Sequence, residues 1–146
     1  MKENLLKYYW KFKEIYKLGK ELGFGQGQIA SNFTECLCRY LFDLKEYNGK
    51  DFDATKDGNN IEIKATLGKG TTTQVNLSKQ FNFLYWLNLD LDDDKIKVII
   101  YDYEQIKSSI SEREREKDRS NLNFNNVEKY LYKTSFKIER NDIQRL

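Results

Sequence analysis

DFDATKDGNNIEIKAT (residues 51–66) holds two β-prone runs, DFDAT and NIEIKAT, on either side of Asp57-Gly58. Asp-Gly suits the positive φ angles of a two-residue type I′ turn, so the stretch reads as a β-hairpin. With that turn, Lys56 pairs with Asn59, Asp53 lies opposite Glu62 and Asp51 opposite Lys64. Strand side chains alternate between faces, which puts Glu62, Lys64 and Thr66 on one face and Ile61, Ile63 and Ala65 on the other, the face expected to meet a core. A four-residue loop would move the partner of Asp53 to Lys64 yet keep the three charged side chains together, because both registers preserve parity.

Before the hairpin, residues 4–22 place Leu5, Tyr8, Tyr9, Phe12, Ile15, Tyr16 and Leu22 at mostly three- and four-residue steps, predicting an amphipathic helix. GFGQGQ (23–28) supplies its stop; the glycines have the ingredients of an anion cradle, although a plain helix C-cap is the simpler reading. A second helix is expected from Ile29 to about Tyr47, capped by Ser31 or Asn32, with Phe33, Leu37, Tyr40, Leu41 and Leu44 on one face. After the hairpin, TTTQVNL, FNFLYWLNLDL and KIKVIIYDYEQI read as strands, with Asp92-Asp93-Asp94 as the turn between the last two. Residues 107–120, KSSISEREREKDRS, carry almost no apolar face and read as a solvent-exposed, self-neutralising helix. The expected architecture is α/β: a central mixed β-sheet of about five strands with a β-meander, flanked by helices. No repeat, linker or composition shift divides residues 1–146, so one domain is expected.

Composition narrows the chemistry. There is no His, which removes the usual general base and zinc ligand, and two cysteines cannot complete a structural zinc site. His-metal nucleases, Ser-His hydrolases and Cys-His proteases are therefore excluded, leaving carboxylates and lysine. Cys36 and Cys38 lie two apart on a predicted helix and point to different faces, as suits a reducing cytoplasm. The amino end mixes Lys and Glu through its apolar positions, unlike an export signal, and no apolar run is long enough to span a membrane. With 25 basic and 23 acidic residues, any nucleic-acid surface has to be local.

Two carboxylates opposite one another on a hairpin repel, by a few tenths to about one kcal/mol. A divalent cation held by Asp53 and Glu62 would compensate, and Mg²⁺ accepts such sparse protein coordination. Lys64, one pleat along, could then orient or help deprotonate the attacking water, or offset charge on a pentacovalent phosphate. Together these residues describe phosphodiester hydrolysis. A bare E-x-K also occurs on ordinary solvent-facing strands, and what separates this instance is the upstream Asp, the turn between them and the Ile residues flanking Glu62.

F-D-A-T, then D-G, then I-E-I-K-A-T resembles the active-site signature of the PD-(D/E)xK nuclease superfamily, restriction endonucleases in particular. The resemblance spans residues 29–102 and implies an α/β sandwich in which Asp53 and Glu62 bind metal and Lys64 is the catalytic lysine. It implies further that the Ile63 carbonyl completes the metal site. Phe52 stands where relatives often carry Pro, a position that supplies no ligand. Relatives add a Glu from the preceding helix, for which Glu35 is the match here; an i,i+4 ion pair with Arg39 is the competing reading. Gln74 resembles a polar position used near the metal or scissile phosphate, and a buried strand amide can equally serve neighbouring backbone.

The resemblance implies a type II restriction endonuclease cutting double-stranded DNA with Mg²⁺ (Mn²⁺ substituting), a homodimer on palindromic sites, with a cognate DNA methyltransferase as genetic partner. A Holliday-junction resolvase of the same superfamily and a non-catalytic DNA-binding domain are the alternatives. Lys69, in Gly68-Lys69-Gly70, is a candidate phosphate contact; Arg113, Arg115, Lys117 and Arg119, with the polar run Asn121–Asn126, are candidates for base recognition.

Overall fold

The computed structural model describes residues 1–146. Two helices lead, α1 (Lys2–Leu22) and α2 (Ser31–Phe42). The hairpin β1 (Ala54–Lys56) and β2 (Asn59–Leu67) follows, in the expected register: Ala54 opposite Ile61 and Lys56 opposite Asn59. Asp57 and Gly58 have φ angles of 52° and 80°, both in the left-handed region that the tight turn requires.

The hairpin opens a six-stranded sheet of order β1-β2-β4-β5-β7-β8, completed by β4 (Phe83–Asp90), β5 (Lys95–Asp102), β7 (Tyr132–Ile138) and β8 (Ile143–Arg145). Only the β2–β4 pair is parallel, so the sheet is mixed, as expected, with one strand more than anticipated. TTTQVNL does not join it. A parallel pair needs a crossover of about a dozen residues or more, and residues 68–82 supply it by passing over one face of the sheet. Within that crossover, β3 (Thr72–Val75) pairs instead with β6 (Ser120–Asn123) as a separate antiparallel ribbon. The meander therefore breaks after β2.

Each face of the sheet covers a core. On one, Leu5, Leu6, Tyr9, Phe33, Leu37 and Cys38 from α1 and α2 pack on Ile61, Ile63, Leu87, Ile96 and Val98. On the other, Leu84, Trp86, Ile99 and Tyr101 meet Val75 and Leu122 of the ribbon and Ile106 of the short α3 (Tyr103–Ser108). Full burial of one such aliphatic side chain stabilises by roughly 1.5–3 kcal/mol. No helix is long and apolar enough to cross a membrane.

Three local expectations are corrected. The second helix stops at Phe42, because Asp43 turns left-handed (φ 53°) and Lys45 then pairs with Thr55 along the outer edge of β1. Its N-cap is Ala30, without a side-chain cap, while the Ser31 carbonyl accepts from Thr34 Oγ1. The acidic-basic segment forms only the single turn α4 (Glu112–Arg115), held between buried Ile110 and Ser120. GFGQGQ begins as a C-cap: Gly23 is left-handed and its N–H reaches the carbonyls of Gly19 and Lys20. The loop folds back so closely that a Cβ on Gly19 would lie 2.1 Å from the Gly25 carbonyl oxygen.

Candidate active site

The site begins where the hairpin ladder ends. Asp53 N donates to the Ile61 carbonyl at 3.0 Å, and the next ladder position is taken by a side chain: Ile63 N donates to Asp53 Oδ2 at 2.8 Å. That bond fixes the Asp53 carboxylate in the plane of the sheet and leaves the β2 edge beyond it without a neighbouring strand. In a strand, the N–H and C=O of one residue point to the same edge. The Ile63 carbonyl therefore faces the edge that Asp53 occupies. From α2, Arg39 Nη1 donates to the Asp53 carbonyl at 3.0 Å and Nη2 to Cys36 Sγ, which fixes Asp53 from behind.

Glu62 is buried, 4% exposed, between two ammonium groups: Lys64 Nζ at 4.0 Å from Oε1 and Lys79 Nζ at 3.7 Å from Oε2. Lys79 comes from a 3₁₀ turn, Leu77–Lys79, capped by Asn76, inside the crossover. Glu62 and Glu35 both lie against the Asp53 carboxylate, near enough for a proton on either to be shared with it. Glu35 forms no ion pair with Arg39 and lines the same cleft as Asp53.

The electrostatics follow from this chain of three carboxyls. Burial first, then the hydrogen bond and charge of Asp53, push Glu62 up to about 7, against the downward pull of Lys64 and Lys79. Burial, followed by the same contact with Asp53, pushes Glu35 up to about 8. Burial alone would raise Asp53 too, but hydrogen bonds from Glu35, Glu62 and Ile63 N–H, with the charge of Lys64, outweigh it and hold the carboxyl below its ordinary value. The three carboxyls are thus pulled apart: Asp53 ionises first, and Glu62 and Glu35 hold their protons to higher pH.

A cleft of about 340 Å³ contains Glu35, Asp53, Glu62, Ile63, Lys64 and Thr73. It meets a second cleft, of about 490 Å³, at Glu35 and Asp53, where Lys50 and Phe52 also line the wall. No group of three or more acidic, Cys or His side chains forms a ready cage for a metal. The donor set does fit a hard cation of the Mg²⁺ type, which needs only one or two carboxylates and fills its shell with water and substrate oxygen.

A family model, Bsp6I restriction endonuclease, matches residues 1–122. The chain belongs to the Bsp6I restriction endonuclease family. That match spans all four helices, the E-x-K hairpin and the ribbon as far as Leu122, and it accords with the PD-(D/E)xK resemblance of residues 51–66. No curated protein matches the sequence. Membership in a restriction endonuclease family implies a DNA endonuclease.

Other residues singled out in this Bsp6I-family chain lie outside the cluster. Gln74 is exposed on the outer side of β3, its Nε2 donating to Asn121 Oδ1 at 3.3 Å, while Thr73 turns toward the carboxyls. Thr66 accepts from Trp86 Nε1 and Asn88 Nδ2, both at 2.9 Å. Lys69 is exposed beyond the far end of β2, roughly 20 Å along the strand from Glu62 at about 3.3 Å per residue. Arg115 Nε is engaged by the Ile110 carbonyl and Lys117 by Glu114, whereas Arg113 and Arg119 are exposed without a partner. Lys79 and Arg39 carry no motif; only knowledge of the crossover and of the helix packing could have brought them to Glu62 and Asp53.

Proposed function

We propose that this chain is a type II restriction endonuclease, one nuclease domain that hydrolyses phosphodiester bonds of double-stranded DNA at a specific sequence with Mg²⁺, for which Mn²⁺ can substitute. The observation that carries the reading is Glu62: a buried carboxylate beside Asp53 at an open strand edge, flanked by Lys64 and Lys79. A solvent-facing E-x-K would leave its glutamate in water, so the non-catalytic alternative loses its main support.

Asp53, Glu62 and the Ile63 carbonyl would hold the cation. When bound, it supplies polarisation of a phosphoryl oxygen and acidification of water. Lys64 points into the same cleft and is assigned to the attacking water and the charge that grows on phosphorus. Glu35, protonated at neutral pH, donates to Asp53 and keeps that carboxylate ionised and oriented. Arg39 positions Asp53 through its backbone. Lys69, Arg113 and Arg119, exposed and unpaired, are the cations available to DNA phosphates.

One such site cuts one strand. Cleavage of both strands at a palindrome therefore calls for a homodimer, and protection of host DNA calls for a cognate methyltransferase acting in the same cytoplasm. The free thiols of Cys36 and Cys38 suit that compartment.

The test is incubation with methylated and unmethylated plasmid plus Mg²⁺, with sequencing of fragment ends and a four-way junction run alongside. Discrete ends at one motif, loss of cutting in EDTA and loss of at least about a hundredfold in rate for Lys64→Ala are expected. Cutting confined to the junction, or full activity in Lys64→Ala, refutes the proposal.

A further inference from the structure

The catalytic cleft continues through Thr73 into a broader cleft of about 620 Å³ along the β3–β6 ribbon. The ribbon has two distinct faces. Val75, Leu122 and Ser120 are buried against the core, while the cross-strand pairs Thr72–Asn123 and Gln74–Asn121 point the other way. That outer face is uncharged at all four positions, in a chain whose residues are 33% charged.

Two considerations make this composition unusual for a merely solvated surface. Asn is depleted in strands, yet it occupies both outward positions of β6. A two-stranded ribbon also leaves both its edges unpaired, and proteins commonly protect such edges with charged side chains, Lys above all. Here Glu114 covers the β6 edge, and the outward side chains of this face themselves carry no charge. What it carries instead is hydrogen-bonding capacity: Gln74 Nε2 donates to Asn121 Oδ1, which leaves the Gln74 carbonyl oxygen and the Asn121 amino group side by side without protein partners. The pair is built rather than loose, because Glu114 Oε1 accepts from Asn121 N at 2.8 Å and the Glu114 carbonyl accepts from Ser120 Oγ at 3.1 Å.

We propose that the outer face of the β3–β6 ribbon enters the major groove of duplex DNA and reads base edges, with Gln74 and Asn121 as its centre. This rests on the nuclease assignment and gives that site its specificity surface. A two-stranded ribbon fits the major groove, where base pairs display adjacent donors and acceptors; one free carbonyl beside one free amino group is the matching pattern. The four outward side chains are uncharged, with Glu114 the one charged residue lining the cleft, which suits contact with base edges rather than with phosphates. Continuity with the catalytic cleft at Thr73 keeps the reading face and the scissile strand on one path.

The experiment selects random duplexes on Lys64→Ala protein, which is expected to bind without cutting, and repeats the selection after adding Gln74→Ala or Asn121→Ala. Both added substitutions are on exposed side chains, and melting curves check that the fold is kept. The parent should enrich a motif. Each added substitution should cost about 5- to 150-fold in preference at one or two base pairs while the remaining positions stay selected. A parent that enriches nothing, variants that retain the parent motif, or a loss equal for all sequences overturns the ribbon assignment. Plasmid cutting by the unsubstituted chain is scored in parallel and judges the nuclease reading separately.

Discussion

Glu62→Gln separates the two roles of this carboxyl. Gln has the shape of the protonated acid and can donate to Asp53 as that acid does, but it cannot ionise. In the folded chain Glu62 titrates at about 7, against an ordinary 4.5. A raised carboxyl means that the native state holds its proton longer than the unfolded chain does. Its contribution to stability is thus complete below about pH 4.5, is lost as pH rises toward 7, and stays lost above. The difference of about 2.5 units, at about 1.4 kcal/mol each, sets a penalty on the order of 3 kcal/mol for holding Glu62 ionised while buried, and beside Asp53. At pH 8.5 in EDTA, Glu62→Gln should therefore be more stable than the parent by up to that amount, roughly 6–12 °C in melting temperature for a chain of this size. At pH 5 the gap should fall below about 1 kcal/mol, because the parent is then protonated in its folded state. Added Mg²⁺ should raise the melting temperature of the parent at pH 8.5 and leave the variant nearly unchanged. Melts of both proteins at the two pH values, with EDTA and with Mg²⁺, test this directly. Equal stabilities at pH 8.5 in EDTA, or a variant that gains as much from Mg²⁺ as the parent, would refute the reasoning.

Lys79→Met removes one of the two ammonium groups that pull Glu62 downward, so the Glu62 carboxyl should rise further and the acid limb of the Mg²⁺-dependent rate should move to higher pH. A pH–rate profile superimposable on the parent's would show that Lys79 has no part in tuning the carboxylate. Thr66→Val takes away the oxygen that satisfies the buried Trp86 indole N–H, which should cost about 1–3 kcal/mol in denaturant unfolding without moving the pH profile of cleavage. An unchanged unfolding midpoint would mean that another acceptor serves Trp86.

The hairpin was legible because everything it needs is local. Asp57-Gly58 sets the turn, the turn sets the register, and strand alternation sets which side chains meet. What lay outside the stretch depended on long-range pairing. A run such as FNFLYWLNLDL does not announce that it will lie parallel to β2, yet that one choice forces residues 68–82 across the sheet, carries β3 away from it and delivers Lys79 to Glu62. Placing Gln74 near the metal overlooks a signal in the sequence. Val75 is the sole apolar residue of TTTQV, so positions 73 and 75 share the buried face and Gln74 must point outward. For Glu35, helical spacing left two readings open because it fixes a direction from the helix, not the partner that packing brings there.

The same bond that ends the hairpin also makes the site possible. Had residue 53 continued the ladder through its backbone, the Ile63 N–H and C=O would both have been paired within the sheet, and no strand oxygen would face the cleft. A carboxylate accepting that N–H satisfies the donor and leaves the carbonyl beside it free, at the cost of placing a negative charge against the buried Glu62. Protonation relieves that repulsion, in keeping with the raised Glu35 and Glu62 carboxyls. A divalent cation would relieve it more strongly while displacing those protons. If the cation binds as proposed, its affinity, the acid tolerance of the chain and its stability share one arrangement of three carboxyls, and a substitution that improves one of them is expected to shift the other two.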